Sequence, residues 1–262
     1  MLAVTSQDVY VNTSQGRLFA RRWDPAGETA AAAPIVLFHD SLGCVELWRD
    51  FPEQLAQATG RSVIAYDRLG FGRSDPNTAV FEPGFVEEEA QGGFRSLRAA
   101  LGVGPYVGFG HSVGGGMAVC CAGVYADDCR ALITESAQMF AEDRTLEGIR
   151  AAKQNFAEPG QLDRLKKYHG EKAEWVLGAW INTWLSPEFA TWNLDEQLRQ
   201  VRCPVLALHG EIDEYGSPKH QEKIAALAGG RPVLLENCGH VPHREQSRIV
   251  LDVVSEWLRA VP

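Results

Sequence analysis

Three side chains of this 262-residue sequence could together turn an alcohol into a nucleophile: Ser112, Asp213 and His240. A serine hydroxyl is inert at neutral pH unless a base takes its proton, and the base must be oriented by an acid. Ser112 lies in Gly110-His111-Ser112-Val113-Gly114, after an apolar run (residues 105–109) and before a small-residue stretch (115–122). Strand, Gly-x-Ser-x-Gly, then helix describes a tight turn that lifts the hydroxyl above the end of a sheet. The flanking glycines leave room where strand and helix cross beside a strained serine. Asp213 falls just past the run at 205–208, and His240 just past the run at 233–236. The order Ser, Asp, His, each after an apolar run, is the one this turn requires on an α/β sheet. Glu211 and Glu214 compete with Asp213 for the acid role, and His243 stands near His240. Val113 would open the helix after the serine, so its backbone N–H is a candidate donor to an oxyanion. The Ser41 N–H, in the loop after the run at 35–38, is the candidate second donor.

These residues need a sheet to hold them. Apolar runs at 35–38, 62–66, 106–109, 131–134, 204–208 and 232–235 lack alternation, which suits strands buried on both faces of a parallel sheet. Helical patterns at 47–59, 87–101, 115–126, 219–228 and 247–261 lie between most of them, giving crossovers that cover both faces. Residues 9–12 and 17–22 form an antiparallel pair around a turn at 13–16, for about eight strands in all. Residues 27–33 are expected to be a surface loop. The alternation breaks between 138 and 200, where the chain is helix-like and rich in aromatics, including Trp175, Trp180, Trp184 and Trp192. Pro159-Gly160 and Ser186-Pro187 would separate its helices. The expectation is an α/β core of residues 1–137 and 201–262 with an inserted helical cap at 138–200, since insertions after strand ends overhang the ligand site of open sheets. Trp180 and Trp184, spaced i, i+4, share a helix face. With His39 and His111 they are the candidate pocket residues.

Together, the loop Asp67-Arg68-Leu69-Gly70-Phe71-Gly72-Arg73-Ser74, the turn Gly110-His111-Ser112-Val113-Gly114-Gly115, Gly210-Glu211-Ile212-Asp213 with Pro218, and Gly239-His240 followed by Glu245 resemble the α/β-hydrolase superfamily. The resemblance runs nearly end to end and implies acyl transfer to water through an acyl-enzyme, with no organic cofactor and no metal. It points to a carboxylic-ester, lactone or thioester hydrolase acting on a small to medium apolar substrate. Carbon–carbon hydrolysis of a ring-cleavage product and a perhydrolase or haloperoxidase-like activity use the same three residues, and a ligand-binding protein on the same fold is the reading of another class. An aspartate nucleophile, as in haloalkane dehalogenases, would have to stand where Ser112 is. The chain departs from the family at His39-Asp40, where His-Gly is usual; the Asp40 side chain is expected to turn away or to bond His39 or loop amides. Ser41-Leu42-Gly43 resembles the enol-lactonase branch.

A net charge of −9 argues against nucleic acid and anionic membrane surfaces as partners, which need a basic patch. No segment is long and apolar enough to span a bilayer. The first residues lack the charged and apolar regions of a signal peptide. The six cysteines follow neither zinc-binding nor disulfide-framework spacing. A small-molecule substrate in a reducing, cytoplasmic setting is therefore expected, with a homodimer as the default oligomer.

Overall fold

The computed structural model describes residues 3–26 and 32–261. The loop expected at 27–33 falls mostly on 27–31, outside the described residues. The chain opens with β1 (Val4–Asn12) and β2 (Arg17–Pro25), paired antiparallel with Asn12 opposite Arg17. Gly16, at φ 147°, closes the turn and its carbonyl accepts the Thr13 N–H at 2.9 Å. Next come β3 (Ile35–Phe38), α1 (Phe51–Thr59), β4 (Val63–Tyr66), α2 (Phe85–Glu88) and α3 (Gly93–Leu101). Then β5 (Tyr106–His111), α4 (Val113–Val124) and β6 (Cys129–Glu135) form the centre. Four helices separate β6 from β7 (Val205–Gly210): α5 (Asp143–Phe156), α6 (Gln161–His169), α7 (Ala173–Trp184) and α8 (Asp195–Gln200). The chain closes with α9 (Lys219–Ala228), β8 (Arg231–Leu235), α10 (Pro242–Glu245) and α11 (Ser247–Leu258).

The eight strands form one sheet in the order β1-β2-β4-β3-β5-β6-β7-β8, parallel from β4 to β8. Every residue of β3, β4, β5 and β7 is buried, as continuous apolar runs require. The pleat sends alternate residues to two cores. Val36, Phe38, Ile64 and Tyr66 meet α3, α4, α8 and α9 through Phe94, Met117, Leu198 and Ile224. Ile35, Leu37, Val63 and Ala65 meet α1 and α11 through Phe51, Leu55, Val250 and Val254. Strand β8 departs from the pattern: it lies at the sheet edge, and of its five residues only Leu235 is buried. The single helix expected at 87–101 is two, because Gly92 (φ −99°, ψ −106°) breaks it between α2 and α3. The pattern at 47–59 likewise divides: a short 3₁₀ turn, Val45–Trp48, ends at Arg49 with φ 55° before α1 starts.

This strand order sets the site. From β3 the chain moves outward to β4, then returns to place β5 on the other side of β3. The loops leaving β3 and β5 therefore diverge from neighbouring strand ends, and such a switch point opens a crevice.

Candidate active site

Ser112 sits between β5 and α4 with φ 56° and ψ −127°, a conformation costly for a non-glycine residue. Its N–H donates to the Glu135 carbonyl oxygen at 2.9 Å, anchoring the turn to the end of β6. A Cβ at Gly114 would overlap the carbonyl oxygen of Phe38, and one at Gly110 the carbonyl oxygen of Gly114. Backbone crosses backbone at both positions, so neither has room for a side chain.

His240 and Asp213 meet this serine from two other strand ends. His240 Nε2 lies 3.0 Å from Ser112 Oγ, and His240 Nδ1 lies 2.9 Å from both carboxylate oxygens of Asp213. Asp213 Oδ1 also accepts the N–H groups of Tyr215 and Gly216 at 2.8 and 3.1 Å. Burial opposes ionisation of Asp213, but the His240 hydrogen bond and these amides hold its carboxyl below the usual range. On the other side, the Glu245 carboxylate accepts the N–H groups of Gly239 and Val241 at 2.7 and 2.9 Å, clamping the backbone around His240. The competing acids are elsewhere: Glu214 is exposed, and Glu211 accepts the Asn237 N–H at 3.0 Å. His243 is buried against Glu135, with Nδ1 and Oε2 2.5 Å apart.

Asp40 borders the site, and its carboxylate does bond a loop amide: Oδ1 accepts the Leu42 N–H at 2.8 Å. Oδ2 faces His111 Nδ1 at 3.4 Å, and His111 Nε2 bonds the carbonyl oxygen of His240 at 2.8 Å. Burial opposes charge on both Asp40 and His111, yet the pairing prevails: Asp40 is held well below the carboxylate range and His111 is raised above its ordinary value. His111, Glu135 and His243 are the one set of three His, Cys, Asp or Glu among the described residues whose ligand atoms all lie within 4.8 Å of one another. His243 Nδ1 and Glu135 Oε2 stand 2.5 Å apart, a hydrogen-bonding distance. Two ligands on one zinc ion would stand roughly 3.4 Å apart, given bonds of about 2.1 Å.

A cavity of about 140 Å³ opens above Ser112 and His240, lined by Ser41, Leu42, Ile149, Trp180, Tyr215 and Val241 among others. Of the four expected pocket residues, His111 and Trp180 line it and two do not. Trp184 packs against Phe189 and Trp192, with ring centroids 4.8 and 5.5 Å away. One turn beyond Trp180, it has passed the cavity and entered the core. The His39 ring turns back, taking the Arg68 N–H on Nε2 at 3.2 Å and lying 5.1 Å from the Phe71 ring.

Three features carried no sequence signal strong enough to find them. Gln138, just past β6, accepts the Ser112 hydroxyl at 3.2 Å through Oε1. The Tyr215 ring lies 4.9 Å from that of His240. The start of α5 grips the loop that carries Asp213. Arg144 donates to the Asp213 carbonyl at 3.0 Å, Thr145 to the Tyr215 carbonyl at 2.6 Å, and Glu142 accepts Ser217 N–H at 2.6 Å.

A mostly parallel sheet with a strained serine turn at its centre, and an acid and a histidine delivered to it from later strand ends, defines a hydrolase of the α/β class. The chain belongs to the alpha/beta hydrolase family, which it matches over residues 35–253. It is 23% identical to a proline iminopeptidase of Lactobacillus delbrueckii subsp. bulgaricus over 88% of this chain and 92% of that protein. Its fold is similar to a thermophilic esterase from Thermogutta terrifontis (TM-score 0.72, 21% identity, 97% and 98% of the two chains). It is similar again to a serine hydrolase involved in carbazole degradation (TM-score 0.72, 18% identity, 97% and 99%). Among the described residues no helix is long and apolar enough to cross a membrane.

Proposed function

We propose that this protein is a serine hydrolase that cleaves a carboxylic ester, lactone or thioester of small acyl groups through Ser112, His240 and Asp213. The observation that carries the reading is the unbroken chain of contacts, 3.0 Å from serine to histidine and 2.9 Å from histidine to carboxylate. His240 Nε2 takes the Ser112 proton as Oγ bonds to the substrate carbonyl carbon. The N–H groups of Val113 and Ser41 hold the oxyanion, the first at the positive end of α4. The leaving alcohol takes the proton from His240, and a water activated by the same imidazole releases the acid. Asp213 fixes the tautomer and stabilises the imidazolium.

Helices α5 to α7 act as the cap. Ile149 from α5 and Trp180 from α7 make the apolar roof over Ser112. A cavity of about 140 Å³ is below the usual range for drug-sized ligands, which supports a short acyl group. The full-length likeness to an iminopeptidase supports a second reading, release of an N-terminal residue from a short peptide. The same groups would then attack an amide.

A fluorophosphonate probe tests the chemistry. The folded protein should label stoichiometrically, and Ser112→Ala should not label. A panel of nitrophenyl esters, aminoacyl nitroanilides and coloured dienone ring-cleavage products then separates the substrate classes. Absence of labelling in the folded wild type would overturn the reading.

A further inference from the structure

Two acceptors surround the Ser112 hydroxyl where its chemistry requires one. His240 Nε2 stands 3.0 Å from Oγ, and Gln138 Oε1 stands 3.2 Å away. With the Nδ1 hydrogen of His240 committed to Asp213, the neutral imidazole presents Nε2 as an acceptor. A serine hydroxyl carries one hydrogen and satisfies one acceptor at a time. Whenever it turns to Gln138, it is not aligned for transfer to His240. A water molecule carries two hydrogens and satisfies both.

Gln138 is held in this position. The residue is 4% exposed. The next residue is pinned on both backbone groups: Met139 N–H donates to His220 Nδ1 at 3.1 Å, and its carbonyl accepts the Leu194 N–H at 2.9 Å. Among the described residues the Gln138 amide nitrogen has no partner, while Oε1 is directed at Ser112 beside the cavity.

We propose that Gln138 is a catalytic residue of the second half-reaction, accepting one hydrogen of the hydrolytic water while His240 accepts the other. The inference rests on the serine-hydrolase reading above. In the first half-reaction the Ser112 O–H bond breaks, its proton passes to Nε2 and Oγ bonds to the acyl carbon. The leaving group departs with that proton. Oγ is then an ester oxygen without hydrogen, and both acceptors lack a donor. Water entering beside them gives one proton to Nε2 as its oxygen bonds to the acyl carbon. Its second hydrogen, turned to Gln138, stays on the oxygen that becomes the product acid. When the intermediate collapses, His240 returns the first proton to Ser112. The same amide that competes for the serine proton thus orients the water.

The consequence is a split between the two rates that a purely structural role would not produce. In Gln138→Leu, acylation by a nitrophenyl acetate should be unchanged or up to about twofold faster, because a competing acceptor is gone. Deacylation should fall about tenfold, the scale of one hydrogen bond of roughly 1.4 kcal/mol lost from its transition state. Stopped-flow traces read the two rates separately: the acylation rate should hold while the deacylation rate falls about tenfold relative to wild type. Gln138→Asn, which keeps the polarity but withdraws the acceptor, should show the same split and carries the test if the leucine variant does not fold. Equal loss of both rates, or no change in either, with fluorophosphonate labelling intact, overturns this inference alone. Failure of the wild type to label overturns the serine-hydrolase reading and this one with it.

Discussion

The hydroxyl of Thr145 donates to the carbonyl oxygen of Tyr215 at 2.6 Å, tying the first turn of α5 to the loop that presents Asp213. The bond is fully buried on the Thr145 side. Gly148, one turn on, lets the helix press against the Tyr215 ring; a Cβ there would come within 2.9 Å of it. Ile149 of the same helix lines the cavity. One helix therefore touches both the cavity and the loop that carries Asp213. Thr145→Val keeps the shape but removes the donor to the part-buried Tyr215 carbonyl, at about 1 kcal/mol. The expected result is a several-fold lower kcat with KM nearly unchanged, together with a lower Tm, read from ester kinetics and calorimetry. An unchanged kcat would show that α5 does not position the acid.

Asp213 is expected to be the acid, and its replacement separates it from its neighbours. Asp213→Asn should lower kcat by about four orders of magnitude, because the amide favours the wrong imidazole tautomer. Glu211→Gln and Glu214→Gln should leave turnover within about twofold, since neither contacts His240. A steady-state comparison of the three variants checks this. Near-normal turnover in Asp213→Asn would remove the aspartate from the mechanism.

These residues differ in how plainly the sequence announced them. Ser112, Asp213 and His240 each follow an apolar run, so periodicity alone located the strand ends that carry them. The sheet was legible for the same reason: buried parallel strands leave unbroken runs. The break at Gly92 was harder to read because glycine inside a helical pattern is tolerated or fatal depending on packing. Trp180 and Trp184 share a face, yet 6 Å of rise separates a pocket residue from a core one, at about 1.5 Å per residue. Gln138 was invisible, since a lone glutamine after a strand has no spacing to betray it. Only the fold brings it to Ser112. The ring partner Tyr215 and the grip of α5 on the acid loop are likewise long-range contacts with no local pattern.

Asp40 and His111 should titrate as a pair. Burial alone would push His111 below its ordinary value near 6.5. The Asp40 carboxylate, 3.4 Å away, raises it instead. Glu135 acts in the same direction, while His240 and His243 pack against the ring. The raised imidazole stabilises the fold fully below about pH 6.5, and that contribution is lost as pH rises through the folded value. The depressed Asp40 contributes above about pH 3.9 and loses its contribution as pH falls through its folded value. In Asp40→Asn, the His111 titration followed by imidazole NMR should move to lower pH, and the wild-type loss of stability on the alkaline side should shrink. A His111 titration unmoved in that variant would mean the pair is not coupled.

Glu142 should govern the acid limb of stability. Burial opposes its charge, but His220, at 3.0 Å, and the N–H and hydroxyl of Ser217, at 2.6 and 2.9 Å, hold its carboxyl down at about 2. Its unfolded value is near 4.3. The depressed group therefore stabilises the protein above about pH 4.3, and this contribution fades as pH falls toward 2. Glu142→Gln should lower stability by about 1–2 kcal/mol at pH 7, the scale of a hydrogen bond to a charged group discounted for partial exposure. The difference should disappear near pH 2 in urea titrations. A constant difference across that range would assign the loss to packing rather than to charge.

The cavity roof should set acyl length. Trp180 closes one side and lies 5.9 Å, ring to ring, from Tyr215, which in turn meets His240 at 4.9 Å. About 140 Å³ is small beside the roughly 300–1,000 Å³ of sites for drug-sized ligands, which matches a short acyl chain. The wild type is therefore expected to prefer acetyl and butyryl esters to decanoyl ones by kcat/KM. Trp180→Ala removes the indole without touching Ser112, His240 or Asp213. It should raise kcat/KM for the long ester and leave the short one within a few-fold, inverting or flattening the preference. Because each buried methylene is worth about 0.8 kcal/mol, two or three newly accommodated carbons should give a gain of roughly ten- to a hundredfold. A wild type already indifferent to chain length, or a variant with an unchanged profile, would place the acyl group outside this cavity.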